Sequence, residues 1–234
     1  MSLRKQKGNM YDYVTHTWNP IKGKCEHDCS YCYMKKFKTL PPLRLDEGEL
    51  TVNLGMENYI FVGSGTDMWA KNVPSAWIDR VMMVCEKFPD NIYFLQSKNP
   101  YRFMMHSLPR YCYLATTIES NRMWKKCKAQ PVAVRAKAMK ELDIIGWTTV
   151  VTIEPIMAFD LDEMVELIET CHPLWVNIGA DSQGHKLPEP SRKEILRLII
   201  RLKKFTNVRK KKNLDRILKK QEGGDEGSNT KRTD

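Results

Sequence analysis

Short apolar runs rich in β-branched and aromatic residues alternate with amphipathic stretches from Tyr11 to Leu202. The apolar runs, at residues 13–18, 59–63, 92–96, 113–117, 148–153 and 175–178, predict six strands. They are nearly continuous in apolar character, as expected of strands covered on both faces. Between them, helical periodicity spans residues 75–87 behind Pro74, 131–145, 161–171 behind Asp160 and 191–205 behind Pro190. A weaker helical pattern covers 101–107 after Pro100. Pro or Asp at the helix starts and Gly146 after the second helix match ordinary start and stop signals. Such strand–helix repetition makes right-handed crossovers and a parallel sheet, so the class is α/β. Six units are fewer than the eight that close a full barrel. An open (β/α)6 partial TIM barrel with its site at the C-terminal strand ends is the expected geometry, and a doubly wound sheet shares the same periodicity. Residues 43–54 read as an inserted hairpin or loop. No internal linker is visible, so the expected organisation is one domain over 1–207, then a basic and finally disordered tail over 208–234.

Composition agrees with a globular chain. Of 234 residues, 42% are hydrophobic and 28% charged. No apolar run approaches the ~18 residues of a membrane helix. The basic N-terminus MSLRKQKGNMYDY has no apolar stretch behind it, so it is not a secretory signal and a cytoplasmic protein is expected. The net charge of +10 concentrates in the last third, notably at Arg192, Lys193, Arg197, Arg201 and the run Arg209–Lys212. A basic C-terminal helix followed by this run is a candidate surface for DNA or another nucleic acid, held through phosphates without sequence readout. A solvated helix face explains the same charges. Beyond Gln221 the chain is too poor in apolar residues to order itself.

The cysteines change the picture. There are seven, an odd number, and three fall within eight residues: Cys25-Glu-His-Asp-Cys29-Ser-Tyr-Cys32. In a reducing compartment a cluster of this kind points to metal rather than to disulfides. Thiolates spaced by three and then two residues on one loop can ligate three corners of a 4Fe–4S cubane, leaving one iron open. A zinc site using the three thiolates and His27 is the alternative, although His27 sits between two ligands and zinc modules usually pair two such knuckles. Cys85, Cys112, Cys127 and Cys171 are scattered; Cys112 and Cys127 flank the fourth strand and read as incidental thiols.

A CxxxCxxC loop after a first strand, with Tyr31 just before the last cysteine, resembles the radical S-adenosylmethionine superfamily. The resemblance implies a partial barrel, metal ligation by Cys25, Cys29 and Cys32, and S-adenosylmethionine as cofactor. It further implies reductive cleavage to a 5′-deoxyadenosyl radical, with an external one-electron reductant such as flavodoxin or ferredoxin. Thr17-Trp18-Asn19-Pro20 and Tyr33 narrow the match to a small phage-associated radical family distantly similar to spore photoproduct lyase. Ser97-Lys98-Asn99-Pro100, Ile118-Glu119-Ser120, Ile153-Glu154-Pro155 and Gly179-Ala180-Asp181-Ser182 stand where that family ends its later strands. A phage gene would place the protein in the cytoplasm of a bacterial host.

The strand ends supply the remaining candidates. Gly63-Ser64-Gly65-Thr66-Asp67 follows the second strand, where small residues let backbone approach a ligand and a carboxylate can meet an ammonium. The superfamily has a Gly-Gly-Glu-like turn here; Ser64 and Asp67 depart from it. Lys98 is read as a partner for the cofactor carboxylate or a substrate phosphate, against a solvated lysine at a helix start. Thr116, Thr117 and Glu119 offer acceptors for ribose hydroxyls, and Asp181 and Ser182 offer adenine-side or substrate contacts. Glu154, inside an apolar run, joins the cysteines as a catalytic candidate; for Glu119 and Glu154 the alternative is a structural ion pair. Three functions fit these residues: radical modification, isomerisation or repair of a nucleic-acid base; radical chemistry on a free small molecule; or non-catalytic nucleic-acid binding around zinc or a cluster.

Overall fold

The computed structural model describes residues 3–37, 39–124 and 127–219. Strands β1 (Arg4–Lys5), β2 (His16–Trp18), β5 (Tyr59–Val62), β6 (Ile92–Ser97), β7 (Cys112–Thr117), β8 (Thr149–Ile153), β9 (Trp175–Ile178) and β10 (Asn207–Lys210) form one sheet. They lie in chain order, β1-β2-β5-β6-β7-β8-β9-β10. All neighbours are parallel except β1, which pairs antiparallel with β2. The fold is therefore α/β around a mostly parallel sheet, with the six anticipated strands adjacent and in order. Helices α2 (Ser75–Glu86), α3 (Val132–Ile144), α4 (Leu161–Thr170) and α5 (Arg192–Leu202) fill the crossovers. Pro74 and Pro131 stand at the starts of α2 and α3. A capping box starts α5: Ser191 Oγ accepts from Glu194 N–H, and the Glu194 carboxylate accepts from Ser191 N–H.

Strand alternation divides the core. Ile60, Val62, Leu95, Leu114, Val151, Ile153, Val176 and Ile178 face the helices, whose Ile78, Met139, Ile168 and Leu198 join the same cluster. Phe61, Phe94, Ala115, Val150 and Trp175 face the other way, onto Tyr11 and Val14. One face of the sheet thus carries helices, and the other carries the N-terminal segment.

Four differences from the sequence reading have local causes. The first strand begins at His16 rather than at residue 13, because Val14 N–H bonds Tyr11 C=O (3.0 Å) and turns residues 11–14 onto the sheet. Residues 43–54 contain β4 (Arg44–Leu45), paired antiparallel with β3 (Ile21–Lys22), and the short α1 (Glu47–Leu50). The pattern at 101–107 is a 3-10 helix, Pro100–Met105. Most consequentially, the basic run begins inside the sheet: β10 adds a parallel strand beside β9, so the folded unit passes the boundary expected at residue 207 and continues through α6 (Asp215–Leu218). Residues 220–234, expected to be a disordered tail, lie outside the described residues. No helix among the described residues is long and apolar enough to cross a membrane.

Candidate active site

The C-terminal ends of the parallel strands open onto one cavity of about 1670 Å3. Its wall includes Cys25, Cys29, Cys32 and Tyr31 from the loop after β3, and Gly63, Ser64, Gly65 and Asp67 after β5. Lys98, Thr117 and Glu154 reach it from the ends of β6, β7 and β8. Every candidate site residue except Thr116 and Glu119 reaches this wall.

The cysteine loop is a chain of turns: Cys32 N–H bonds Cys29 C=O (3.1 Å), and Lys35 N–H bonds Cys32 C=O (2.9 Å). Cys29 is buried, and Cys25 and Cys32 are half-buried. Burial, followed by the Asp67 charge, pushes the Cys25 thiol up to about 12. Among the described residues no three His, Cys, Asp or Glu side chains converge on a single ion. His27 gives one ring nitrogen to Asp67 (2.8 Å), which removes that nitrogen from the zinc alternative.

Two carboxylates expected to meet ligand are occupied by protein. Asp67 accepts from His27, from Ser97 Oγ (3.0 Å), and from the backbone N–H groups of Lys98 (2.8 Å) and Trp69 (3.0 Å). Burial raises its pKa, but these donors outweigh that and hold it below the usual carboxylate value. Asp67 therefore braces the turn after β5 against β6 and the cysteine loop, and an ammonium would find its oxygens already bonded. Glu119 is buried beneath the wall, accepting from Lys98 Nζ, Tyr31 OH and Arg135 Nη1 (2.9 Å). Burial opposes its charge, but Lys98 and Arg135 hold its carboxyl down at about 2. Lys98 also donates to Tyr31 OH (2.6 Å) and lies 4.5 Å from that ring's centroid. Burial disfavours the ammonium, yet Glu119 and then Cys29 keep its pKa raised. The group Tyr31–Lys98–Glu119–Arg135 is the structural ion pair that stood as the alternative, and it locks the cysteine loop to β6, β7 and α3.

Other candidates remain available at the wall. Thr117 Oγ1 accepts from Gln96 Nε2 (3.1 Å), which leaves its proton to donate. Thr116, by contrast, turns to the helix side and bonds Ser97 C=O (2.8 Å). Glu154 accepts from Asn9 (3.0 Å), Asn213 (3.1 Å) and Lys211 (2.7 Å), so it sits in a cradle drawn from both ends of the chain. A Cβ at Gly179 would come within 2.8 Å of Glu154 Oε1; only glycine leaves room for that carboxylate. Asp181 is bound to His185 Nδ1 (2.7 Å) while the exposed Ser182 lines the wall.

Several wall residues escaped the sequence reading as site residues. Asn19 Oδ1 accepts from Gly65 N–H (2.7 Å), and Tyr33 OH donates to Ser64 C=O (2.9 Å), so the Trp-Asn-Pro segment and the residue after Cys32 shape the Gly-Ser-Gly turn. The floor is a polar layer: Tyr11 OH bonds Gln96 Oε1 (3.0 Å) and Thr152 Oγ1 (3.2 Å) above the aromatic cluster. The basic run also has internal work. Arg209 lies over the Tyr13 and Trp175 rings (4.7 and 4.3 Å), and Lys211 lies over Tyr11 (4.5 Å) while pairing with Glu154. The cavity's open cations are elsewhere: among the described residues no carboxylate lies within 4.0 Å of the ammonium groups of Lys5, Lys7, Lys24 or Lys36, which line it. Cys127, read as incidental, has its sulfur 2.9 Å from Cys29 Sγ.

No protein-family model and no curated protein sequence matches the chain. Solved structures do. A spore photoproduct lyase carrying a single tyrosine-to-phenylalanine substitution superposes with a TM-score of 0.64 at 8% identity, over 89% of this chain and 80% of that one. A lyase mutant with bound AdoMet and dinucleoside spore photoproduct gives 0.56 at 10% identity, over 87% of this chain and 66% of that one. SuiB of Streptococcus suis bound to S-adenosylmethionine gives 0.54 at 12% identity, over 83% and 49%. The chain thus spans just under two thirds of the AdoMet-bound lyase and about half of SuiB. At these identities the likeness is one of fold.

Proposed function

We propose that the protein is a radical S-adenosylmethionine enzyme built on a (β/α)6-type partial barrel, with Cys25, Cys29 and Cys32 holding a 4Fe–4S cluster. The observation that carries this reading is that all three thiols line one cavity at the C-terminal strand ends, beside the Gly63, Ser64 and Gly65 turn. The donor set fits the group: three thiols on one loop, spaced by three and then two residues and lining one wall, are the ligand type of an iron–sulfur cluster. The fold likeness to AdoMet-bound proteins agrees with it. When bound, the cluster and cofactor would supply one-electron cleavage of the sulfonium and a 5′-deoxyadenosyl radical, given an external reductant such as flavodoxin or ferredoxin.

The chain's own part is positional. Tyr31, clamped by Lys98 and Glu119, fixes the cysteine loop; the residue 63–65 backbone gives close approach at one end of the cofactor; the Thr117 hydroxyl offers a donor. Glu154, cradled by Asn9, Asn213 and Lys211, presents a fixed acceptor to cofactor or substrate. The substrate is anionic in this reading, with a nucleic-acid base the favoured target. Lys5, Lys7, Lys24 and Lys36 line the cavity with no carboxylate within 4.0 Å among the described residues, a positive wall that favours anions. The cavity's volume of about 1670 Å3 exceeds the roughly 300–1,000 Å3 of ordinary small-molecule pockets. Anaerobic reconstitution tests the cluster. About four iron and four sulfide per chain are expected, lost together in Cys29→Ala; stoichiometric zinc, or iron retained in that variant, contradicts the assignment.

A further inference from the structure

Cys127 comes from the loop between β7 and α3, 98 residues beyond Cys29, yet the two sulfurs are 2.9 Å apart. Its neighbours hold it there. Lys128 N–H bonds His27 C=O (2.7 Å), Lys128 Nζ stands 3.8 Å from Asp28, and Trp124 Nε1 donates to Ser30 Oγ (3.2 Å). The pair packs with Tyr31, Met157, Trp124 and Leu187. A disulfide needs a sulfur–sulfur separation of about 2.05 Å, so closing it asks for a shift of roughly one ångström. Cys32 belongs to the same apolar cluster, but among the described residues no other cysteine pair has its sulfurs in hydrogen-bonding contact.

We propose that Cys29 and Cys127 form a reversible disulfide in the metal-free protein, a thiol lock on one of the three cysteines of the motif. Hydrogen peroxide is the oxidant considered. It oxidises one thiol to a sulfenic acid, its O–O bond breaking and one water leaving; the other thiol then attacks that sulfur, forming S–S and releasing a second water. Two thiols are thereby oxidised by two electrons and one peroxide is reduced. A small-molecule dithiol reverses the bond by exchange. The consequence for metal uptake rests on the proposed ligation by Cys29, whereas the disulfide itself does not.

The test uses the full-length metal-free protein, prepared anaerobically and treated with peroxide, then alkylated and digested without reductant. Loss of two alkylatable thiols and a Cys29–Cys127 cross-linked peptide are expected, both reversed by dithiothreitol. Cys127→Ser should keep all its remaining thiols free under the same treatment and take up iron and sulfide whether or not it has met peroxide. The untreated natural chain should do the same, and the oxidised one should not until reduced. A cross-link at other cysteines, or Cys29 and Cys127 both still alkylated, overturns the proposal. If the cross-link forms but the reduced chain takes up no iron, the cluster reading fails while the disulfide stands.

Discussion

Replacing Glu119 by glutamine keeps the side chain's volume but removes the charge that two buried cations share. Lys98 and Arg135 have side-chain exposures of 14% and 5%, and Glu119 has 4%. Removing one partner of a buried ion pair leaves uncompensated charge and costs about 3–5 kcal/mol. Protonation gives a second estimate. Glu119 is held at about 2 against an ordinary value of 4.5, and at 1.36 kcal/mol per pKa unit that is about 3 kcal/mol at neutral pH. Because the folded value is the lower one, this stabilisation is complete well above pH 4.5 and disappears as pH falls toward 2. By pH 3 roughly 2 kcal/mol of it is gone. Urea unfolding of the metal-free protein and of Glu119→Gln, at pH 7 and pH 3, reads both quantities. The variant should be about 3 kcal/mol weaker at pH 7, and the gap should shrink by more than half at pH 3. A loss under about 1 kcal/mol at pH 7, or a gap unchanged by acid, would refute the role given to this carboxylate.

Asn19→Ala removes the acceptor of the Gly65 N–H bond and the partner of Ser64; with the fold intact by circular dichroism, S-adenosylmethionine should bind roughly tenfold more weakly by calorimetry, from about 1–2 kcal/mol of lost hydrogen bonding. Gly179→Ala drives a Cβ to 2.8 Å from Glu154 Oε1 and 3.0 Å from Asn213 Oδ1; a loss of about 1–3 kcal/mol in urea unfolding is expected, and an unchanged midpoint would mean that the cradle gives way freely. Changing Lys5, Lys7, Lys24 and Lys36 together to alanine should lower the salt slope of single-stranded oligonucleotide binding by about 3, from roughly 0.7 per phosphate contact; an unaltered slope removes the cavity rim from the nucleic-acid reading.

Local pattern carried the architecture far. Parallel strands such as Thr149–Ile153 are buried on both faces and read as near-continuous β-rich runs, and prolines or a capping box punctuate the helices, so the six strands were legible. Their order in the sheet was not, because a doubly wound sheet has the same periodicity. Asn207–Lys210 was not, because its sequence NVRK is polar and it is a strand by pairing with β9; its Arg209 side chain finds cover on aromatic rings contributed by residues 13 and 175. The same limit explains the site. The cysteine spacing marked the loop, and strand ends marked the wall. Whether a carboxylate is free or spent depends on partners distant in the chain: Asp67 on His27 and Ser97, Glu119 on Tyr31 and Arg135, Glu154 on Asn9 and Lys211. A net charge could not reveal that Lys211 faces inward while Lys24 lines the rim. Cys127 carries no local signal, since its significance is a contact across 98 residues.

Reductive cleavage is the most direct test of the central claim. The reconstituted protein, incubated anaerobically with S-adenosylmethionine and dithionite, should release 5′-deoxyadenosine, with none from the variant in which Cys25, Cys29 and Cys32 are all alanine. A chain that carries the full cluster and binds the cofactor, yet releases no 5′-deoxyadenosine above that variant, would contradict the account.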